Sequence, residues 1–106
     1  MLVKTYCAAV NGLEVTTVTV EVSISKGVMY HLTGLADTAV RESRDRIVAA
    51  LKNNGLKLPV METTINMAPA DLRKEGSGYD LPLAIGLLAA IGKVKTDNLS
   101  EYMFVG

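Results

Sequence analysis

The stretch from Ala68 to Ile91 constrains the fold most, because a polar loop with two glycines runs directly into an almost wholly apolar helix. Gly76 and Gly78 permit close backbone approach and unusual dihedral angles. Pro82 falls in the first turn of the helix, where its missing N–H costs nothing. An apolar helix of this kind must be buried, so the rest of the chain is predicted to supply a sheet and one covering helix that receive it.

The composition predicts one domain. The chain has 106 residues, 49% of them hydrophobic, which is enough for a core. Eleven basic and eleven acidic residues cancel, so the net charge gives no general attraction to nucleic acid or to a membrane surface. The longest apolar run, Leu81 to Ile91, is too short to span a bilayer, and Cys7 is predicted to be a buried structural thiol. We therefore predict a cytoplasmic domain without a membrane partner.

The first third of the chain predicts three strands in an antiparallel meander. The first covers Leu2 to Val10 with a phase slip near Cys7, and Asn11-Gly12 predicts a two-residue turn. The third covers Val28 to Leu32. The second alternates strictly and is predicted to be half-buried, with a bulge near Thr16-Thr17. Its inward residues are Val18, Val20, Val22 and Ile24.

A helix is predicted over Asp37 to Asn54, followed by a fourth strand over Glu62 to Met67. Asp37 or Thr38 is predicted to cap the start of the helix, and Gly55 to adopt the left-handed conformation after its end. A strand, a helix and a strand in this order predict a crossover with parallel or mixed pairing.

Charged residues cover the outer side of the predicted helix. Opposite charges four positions apart predict two ion pairs, Arg41–Asp45 and Glu42–Arg46. The interleaved acids favour a solvated face over a ligand site for the basic cluster. A contact to a partner or to nucleic acid remains an alternative, through Arg41, Arg44 and Arg73.

The end of the chain predicts a helical turn over Leu99 to Tyr102 and the start of another strand over Tyr102 to Val105. A strand-like apolar end predicts that the domain is truncated and belongs to a longer protein. The unfinished sheet also predicts edge pairing with a second copy, as in a strand-exchanged dimer.

The glycine loop matches no phosphate-binding motif. A P-loop needs Lys and Ser or Thr after its last glycine, but Tyr79-Asp80 follow Gly78. The dinucleotide fingerprint needs a glycine where Leu81 stands. Direct nucleotide binding by the loop is therefore not predicted.

Ser77 is the candidate nucleophile, and it needs a base. Lys74 and Glu75 are near in sequence but form no organised dyad, and His31 is predicted to be a strand side chain. The favoured interpretation of Ser77 is an ordinary loop residue.

The loop acids do not predict a metal site, because their spacing matches no ligand pattern. These acids are Asp71, Glu75 and Asp80. Asp80 is instead predicted to cap the helix, with Arg73 and Lys74 as ion partners within the loop. Loop structure and helix capping are therefore predicted for Lys74, Glu75, Gly76, Gly78 and Asp80.

Four segments in this order resemble the N-terminal domain of the ComM/YifB group, the magnesium-chelatase-related AAA+ ATPases of bacteria. They read Thr-Val-Glu-Val-Ser-Ile-Ser-Lys-Gly over 19–27, Gly-Leu-Ala-Asp-Thr-Ala-Val-Arg-Glu-Ser-Arg-Asp-Arg over 34–46, Thr-Ile-Asn-Met-Ala-Pro-Ala-Asp-Leu over 64–72 and Lys-Glu-Gly-Ser-Gly-Tyr-Asp-Leu-Pro-Leu-Ala over 74–84. The resemblance covers nearly the whole chain.

The resemblance implies an α/β (α+β) fold of the ribosomal-S5-domain-2-like class, similar to the Lon protease catalytic domain, with helices packed on a mixed sheet. Lon-type proteases carry their serine in a Lys-Asp-Gly-Pro-Ser-Ala-Gly motif. Lys74-Glu75-Gly76 lines up with its first three residues, so Gly78 falls at the nucleophile position, Ser77 is one position off and Asp80 replaces the last glycine. The catalytic lysine of Lon would lie beyond Gly106. The resemblance therefore implies a Lon-like scaffold without its chemistry.

The resemblance also implies a context. Full-length members carry an AAA+ ATPase module with ATP and Mg²⁺, form hexamers, and are linked to DNA branch migration in natural transformation. None of the ATPase motifs occurs in residues 1–106, so no cofactor is expected for this domain alone. We expect a non-catalytic accessory domain acting through assembly or DNA or partner contacts. The alternatives are a Lon-type Ser–Lys peptidase and an S5-like nucleic-acid-binding module.

Overall fold

The computed structural model describes residues 2–104. Four strands form one sheet: β1 (Leu2–Asn11), β2 (Glu14–Ser25), β3 (Tyr30–Thr33) and β4 (Glu62–Ala68). The helices are α1 (Thr38–Arg41), α2 (Ser43–Asn53) and α3 (Asp80–Ala90), followed by a short 3-10 helix (Leu99–Glu101). The predicted α/β class with a mixed sheet is therefore confirmed.

The sheet has the order β1-β2-β4-β3, with β3 and β4 parallel and the other pairs antiparallel. The predicted meander is wrong, because β4 lies between β2 and β3. The helical crossover from β3 makes β4 its parallel neighbour. Ile65 and Met67 of β4, both fully buried, pair with Val22 and Val20 at the centre of the sheet.

The alternation of β2 is confirmed, since Val18, Val20 and Val22 have no exposed surface. The predicted phase slip and bulge are wrong, because β1 and β2 pair without interruption from Leu2↔Ser23 to Asn11↔Glu14. Thr5 takes a core position between Val3 and Cys7, and its hydroxyl donates to the Pro82 carbonyl oxygen at 2.9 Å. Because this hydrogen bond satisfies its hydroxyl, Thr5 can occupy a core position, although a threonine there interrupts the apolar alternation of the sequence.

The hairpin loop is Gly12 and Leu13, one residue later than predicted, since Asn11 pairs with Glu14. The positive φ falls on Gly12, at 63°. Such a two-residue loop with glycine first matches the twist of the flanking strands.

The predicted long helix is divided at Glu42 into α1 and α2. The Asp37 cap is confirmed, because its carboxylate accepts from the Val40 N–H at 2.9 Å. Gly55 has the predicted positive φ, at 75°.

α3 lies across β1 and β2 and against α2. Gly86 allows this close approach, because a Cβ there would lie 2.8 Å from Val22 Cγ2. The helix ends at Ala90 before Gly92, which has a positive φ as expected of a C-terminal glycine. Leu83, Leu87 and Ala89 are buried, so the prediction of a core helix is confirmed.

After α3 the predicted helical turn is confirmed as the 3-10 helix. No strand is assigned over 102–104, and Val105 lies outside the described residues. The Phe104 N–H nevertheless donates to the Tyr6 carbonyl oxygen at 2.8 Å. Because β1 is an edge strand, this bond brings the end of the described chain alongside the sheet.

Cys7 is 1% exposed, as predicted, and burial raises the pKa of its thiol to about 11. The folded thiol therefore stays protonated above pH 9, where the unfolded thiol ionises, so stability falls as pH rises from 9 to 11. At pH 10 the shift at Cys7 is expected to lower the free energy of unfolding by about 1.4 kcal/mol. Urea titrations give the difference in free energy of unfolding between wild type and Cys7→Ala, which should be smaller at pH 10 than at pH 7 by that amount. An equal difference at the two pH values would refute the prediction.

Candidate functional site: the glycine loop and its anchors

The glycine loop, residues 69–79, connects β4 to α3 and carries the candidate groups singled out in the sequence. Its Lys74 has no exposed surface and is among the largest fully buried side chains of the protein. Lys74 Nζ donates to the Met67 carbonyl oxygen at 2.9 Å and also to the Pro69 carbonyl oxygen. Within residues 2–104 no carboxylate forms an ion pair with it, so its hydrogen bonds go to backbone carbonyl oxygens.

Burial is the main influence on this ammonium and lowers the pKa of Lys74, while the charge of Asp71 opposes the shift. The prediction of a loop ion partner is wrong for Lys74. A polar loop has no periodicity that tells which side chain points inward, so the sequence contained no signal for this burial.

The backbone of Lys74 is fixed as well. Its N–H donates to the Leu35 carbonyl oxygen at 3.0 Å, and its carbonyl accepts from the Asp37 N–H at 2.9 Å. These two bonds form a short parallel bridge with the segment that leads into α1. The loop is therefore tied to β4 by the Lys74 side chain and to α1 by its backbone.

The Met67 carbonyl oxygen is the meeting point of three segments. It accepts from Lys74 Nζ, and Gly34 crosses directly over it. A Cβ on Gly34 would lie 2.2 Å from this oxygen, and Gly34 has φ at 117°. Leu35 follows with φ at 59°, a left-handed conformation that is rare for a leucine. The chain therefore makes a sharp turn here that only glycine accommodates.

Asp37 joins the loop to the start of α1. One carboxylate oxygen accepts from the Val40 N–H at 2.9 Å and the other from the Gly76 N–H at 3.2 Å. These two donors, Val40 first, lower the pKa of the Asp37 carboxyl. Gly76 has φ at 81°, so the predicted need for glycine is confirmed there, whereas Gly78 has no positive φ.

Asp80 joins α3 to α2. Arg46 donates to both oxygens of its carboxylate, at 2.6 and 2.8 Å, and donates to the Ala39 carbonyl oxygen at 2.5 Å. The predicted cap by Asp80 is not formed, because Tyr79 occupies the N-cap position and Asp80 is the first residue of the helix. A bidentate, charge-assisted pair with arginine outcompetes a cap, and it also raises the pKa of Arg46.

The ion pairs predicted within the helix, Arg41–Asp45 and Glu42–Arg46, are absent from the ion pairs of residues 2–104. Arg46 turns to Asp80, and Arg41 Nε donates to the Ala36 carbonyl oxygen at 3.1 Å. The Arg46–Asp80 pair, 34 positions apart, is the anchor of the loop that sequence reasoning missed.

We expect Arg46 and Asp80 to be energetically coupled. The variants Arg46→Met and Asp80→Asn should each lower the thermal midpoint by a few degrees. The double variant should be less destabilised than the sum of the two, because the second change removes a pair already broken. Thermal melts of the four proteins measure this coupling, and strict additivity would contradict it.

Ser77 is exposed, and no described residue forms a hydrogen bond with its side chain; its carbonyl accepts from the Asp80 N–H at 3.1 Å. Glu75 pairs with Arg73 at 2.9 Å, a loop salt bridge as predicted. Within residues 2–104 there is no group of three or more His, Cys, Asp or Glu side chains placed to hold a metal ion.

The three arginines proposed for partner contact each make a different contact within the protein. Arg44 stands over the Tyr30 ring, 5.3 Å from its centroid, and Arg73 is occupied by Glu75. Arg41, on α1, is bound to the end of the β3–α1 connection through Ala36.

Comparisons with known proteins agree on a family. The model of the Mg-chelatase subunit ChlI matches residues 20–106. The chain is 49% identical over 96 residues to the uncharacterized protein YifB of Escherichia coli, covering 90% of this chain and 19% of that protein. It is 43% identical over 101 residues to the competence protein ComM of Haemophilus influenzae, covering 94% and 20%. The chain therefore spans about a fifth of the length of these curated relatives.

None of the helices in residues 2–104 is long and apolar enough to cross a membrane.

Proposed function

This chain belongs to the family of the Mg-chelatase subunit ChlI, and on that premise we propose that it is a non-catalytic accessory domain of a magnesium-chelatase-related AAA+ ATPase. The ATPase would act in DNA remodelling or branch migration. The domain would contribute through assembly or through DNA or partner contacts, in a cytoplasmic protein.

Ionisable side chains of the glycine loop are bound to other groups of the protein, and this supports a non-catalytic role. Lys74 is buried and donates to two carbonyl oxygens, Asp80 forms an ion pair with Arg46, and Glu75 forms one with Arg73. A general base or nucleophile activator must be free to reach a substrate proton. Lys74 and Asp80, which hold the loop against β4 and α2, do not meet that requirement, and no described residue forms a hydrogen bond with the Ser77 side chain.

The fold is proposed to be ribosomal-S5-domain-2-like, with a Lon-like loop. In that alignment Gly78 stands where the Lon-type serine would be, so the position cannot supply a nucleophile. A Lon-type peptidase acting through Ser77 is less well supported, because Ser77 stands one position before the place of the Lon-type serine.

The name of one relative supports a role in competence. ComM is called a competence protein, and it matches 94% of this chain. We propose that the longer protein shares such a role, with ATP, Mg²⁺ and hexamer formation belonging to the part outside this domain.

The proposal is tested by removing residues 1–106 from the longer protein. We expect ATP hydrolysis to remain while migration of a branched DNA substrate is lost. ATP hydrolysis by the 106-residue chain alone, or branch migration that continues without it, would contradict the proposal.

A further inference from the structure

We propose that a basic pocket beside α2 binds an acidic amphipathic peptide, with an aliphatic side chain in the pocket and carboxylates around its rim. The pocket has a volume of about 360 Å³ and is lined by Arg44, Val48, Lys52, Leu56, Lys57 and Leu58. The inference deepens the proposed function, because it rests on an accessory role and names a partner class. Turnover by the chain itself would contradict that function without affecting this pocket.

One wall of the basic pocket comes from a single face of α2. Arg44, Val48 and Lys52 are spaced four residues apart, which places them above one another along the helix. The other wall is the connection from α2 to β4, where Leu56 is 38% exposed and Leu58 is half-buried. The pocket is therefore open to solvent, with α2 on one side and the α2–β4 connection on the other.

The inside of the basic pocket is apolar. Val48, Leu56 and Leu58 supply aliphatic surface between the charged side chains. A cavity of about 150 Å³ is enough to hold a benzene molecule, so this pocket has room for a leucine-sized side chain. Its filling would remove apolar surface from water, which favours a partner with an aliphatic residue at this point.

The rim of the basic pocket is uniformly positive. Its three charged lining residues are cations, Arg44, Lys52 and Lys57, and no acid lines it. The ring of Tyr30 supports the Arg44 guanidinium, which stands 5.3 Å from the ring centroid. The nearest acid in sequence, Asp45, follows Arg44 on the helix but does not line the pocket. On a chain with no net charge, this local excess selects an anionic partner.

A peptide fits this pocket better than nucleic acid does. Sites for single-stranded nucleic acid combine a basic groove with aromatic side chains on which bases stack. The lining here is aliphatic, with no aromatic residue among its members. Aliphatic walls between cations instead match a peptide that alternates leucine with glutamate.

The test measures binding of a fluorescein-labelled twelve-residue peptide of glutamate, leucine and alanine. The 106-residue chain is titrated into the peptide up to 1 mM, and fluorescence anisotropy reports binding. The double variant Lys52→Glu/Lys57→Glu should weaken binding by about tenfold, because two attractions become repulsions. The control Lys26→Glu/Lys95→Glu changes the net charge equally, uses exposed lysines outside the basic pocket, and should bind within twofold of wild type. Binding should also weaken with added salt.

Three results would overturn the proposal. The first is no binding of the acidic peptide by wild type at 1 mM, and the second is an equal loss of peptide affinity in both double variants. The third is that a twelve-residue oligothymidylate binds wild type more tightly than the peptide does and loses this binding in the Lys52→Glu/Lys57→Glu variant. A peptide with lysine in place of each glutamate should not bind. Circular dichroism of both variants verifies that each is folded.

Discussion

Replacing Lys74 with alanine is expected to lower the free energy of unfolding by about 4 kcal/mol. The side chain is fully buried, so its removal leaves a cavity. It also leaves the carbonyl oxygens of Met67 and Pro69 without the donor that they share. The two losses add, because one is a loss of packing and the other a loss of hydrogen bonds. Urea denaturation followed by circular dichroism measures the change.

The exposed Lys93 provides the control for this prediction. Lys93→Ala removes the same atoms from the surface and should change stability by less than about 0.5 kcal/mol. Lys74→Met, which keeps most of the volume, should fall between the two, since only the hydrogen bonds are lost. A cost below about 1 kcal/mol for Lys74→Ala would mean that the side chain does not anchor the loop.

Gly34→Ala is expected to cost a comparable amount, about 4 kcal/mol, from overpacking and backbone strain together. The new methyl group would lie 2.2 Å from the Met67 carbonyl oxygen, and backbone atoms cannot move aside as a flexible side chain does. The residue also has φ at 117°, where only glycine is comfortable. Chemical denaturation again gives the value.

Gly55→Ala separates the two causes. Gly55 has φ at 75°, but a Cβ there meets nothing within 4 Å. This variant should cost only about 1 kcal/mol, the price of the left-handed conformation alone. Equal costs at Gly34 and Gly55 would show that the crossing over Met67 is not a close contact.

Local patterns predicted most of the elements. The alternation from Val18 to Val22 gave a buried face, the start of α1 and the end of α2 followed from Asp37 and Gly55, and α3 could be recognised from its apolar residues. Each of these signals acts between residues that are close in sequence. The core position of Thr5 was missed because its partner, the Pro82 carbonyl, is 77 positions away.

The long-range features could not be predicted for the same reason. The position of β4 between β2 and β3 depends on burial across the whole sheet. Arg46 had an acid four residues before it, and nothing local favoured Asp80, 34 positions further on. The inward direction of Lys74 depends on carbonyl groups that only the folded chain brings together.

These long-range contacts have a common effect, which is to hold the glycine loop as the support of α3. Lys74 fixes the loop to β4, Asp37 fixes it to α1, and Arg46 fixes its end to α2. The loop is therefore a structural element, and we predict that its exposed hydroxyl, Ser77, performs no chemistry.

The turnover rates of the proposed longer protein and of its Ser77→Ala variant, measured with ATP, branched DNA and casein as substrates, test this prediction. The side chain of Ser77 is exposed and makes no hydrogen bond with the described residues, so the variant should fold normally. We predict rates equal to those of wild type on ATP and branched DNA, and no casein cleavage by either protein. Casein cleavage by wild type that disappears in a folded Ser77→Ala variant would instead show that Ser77 is a nucleophile.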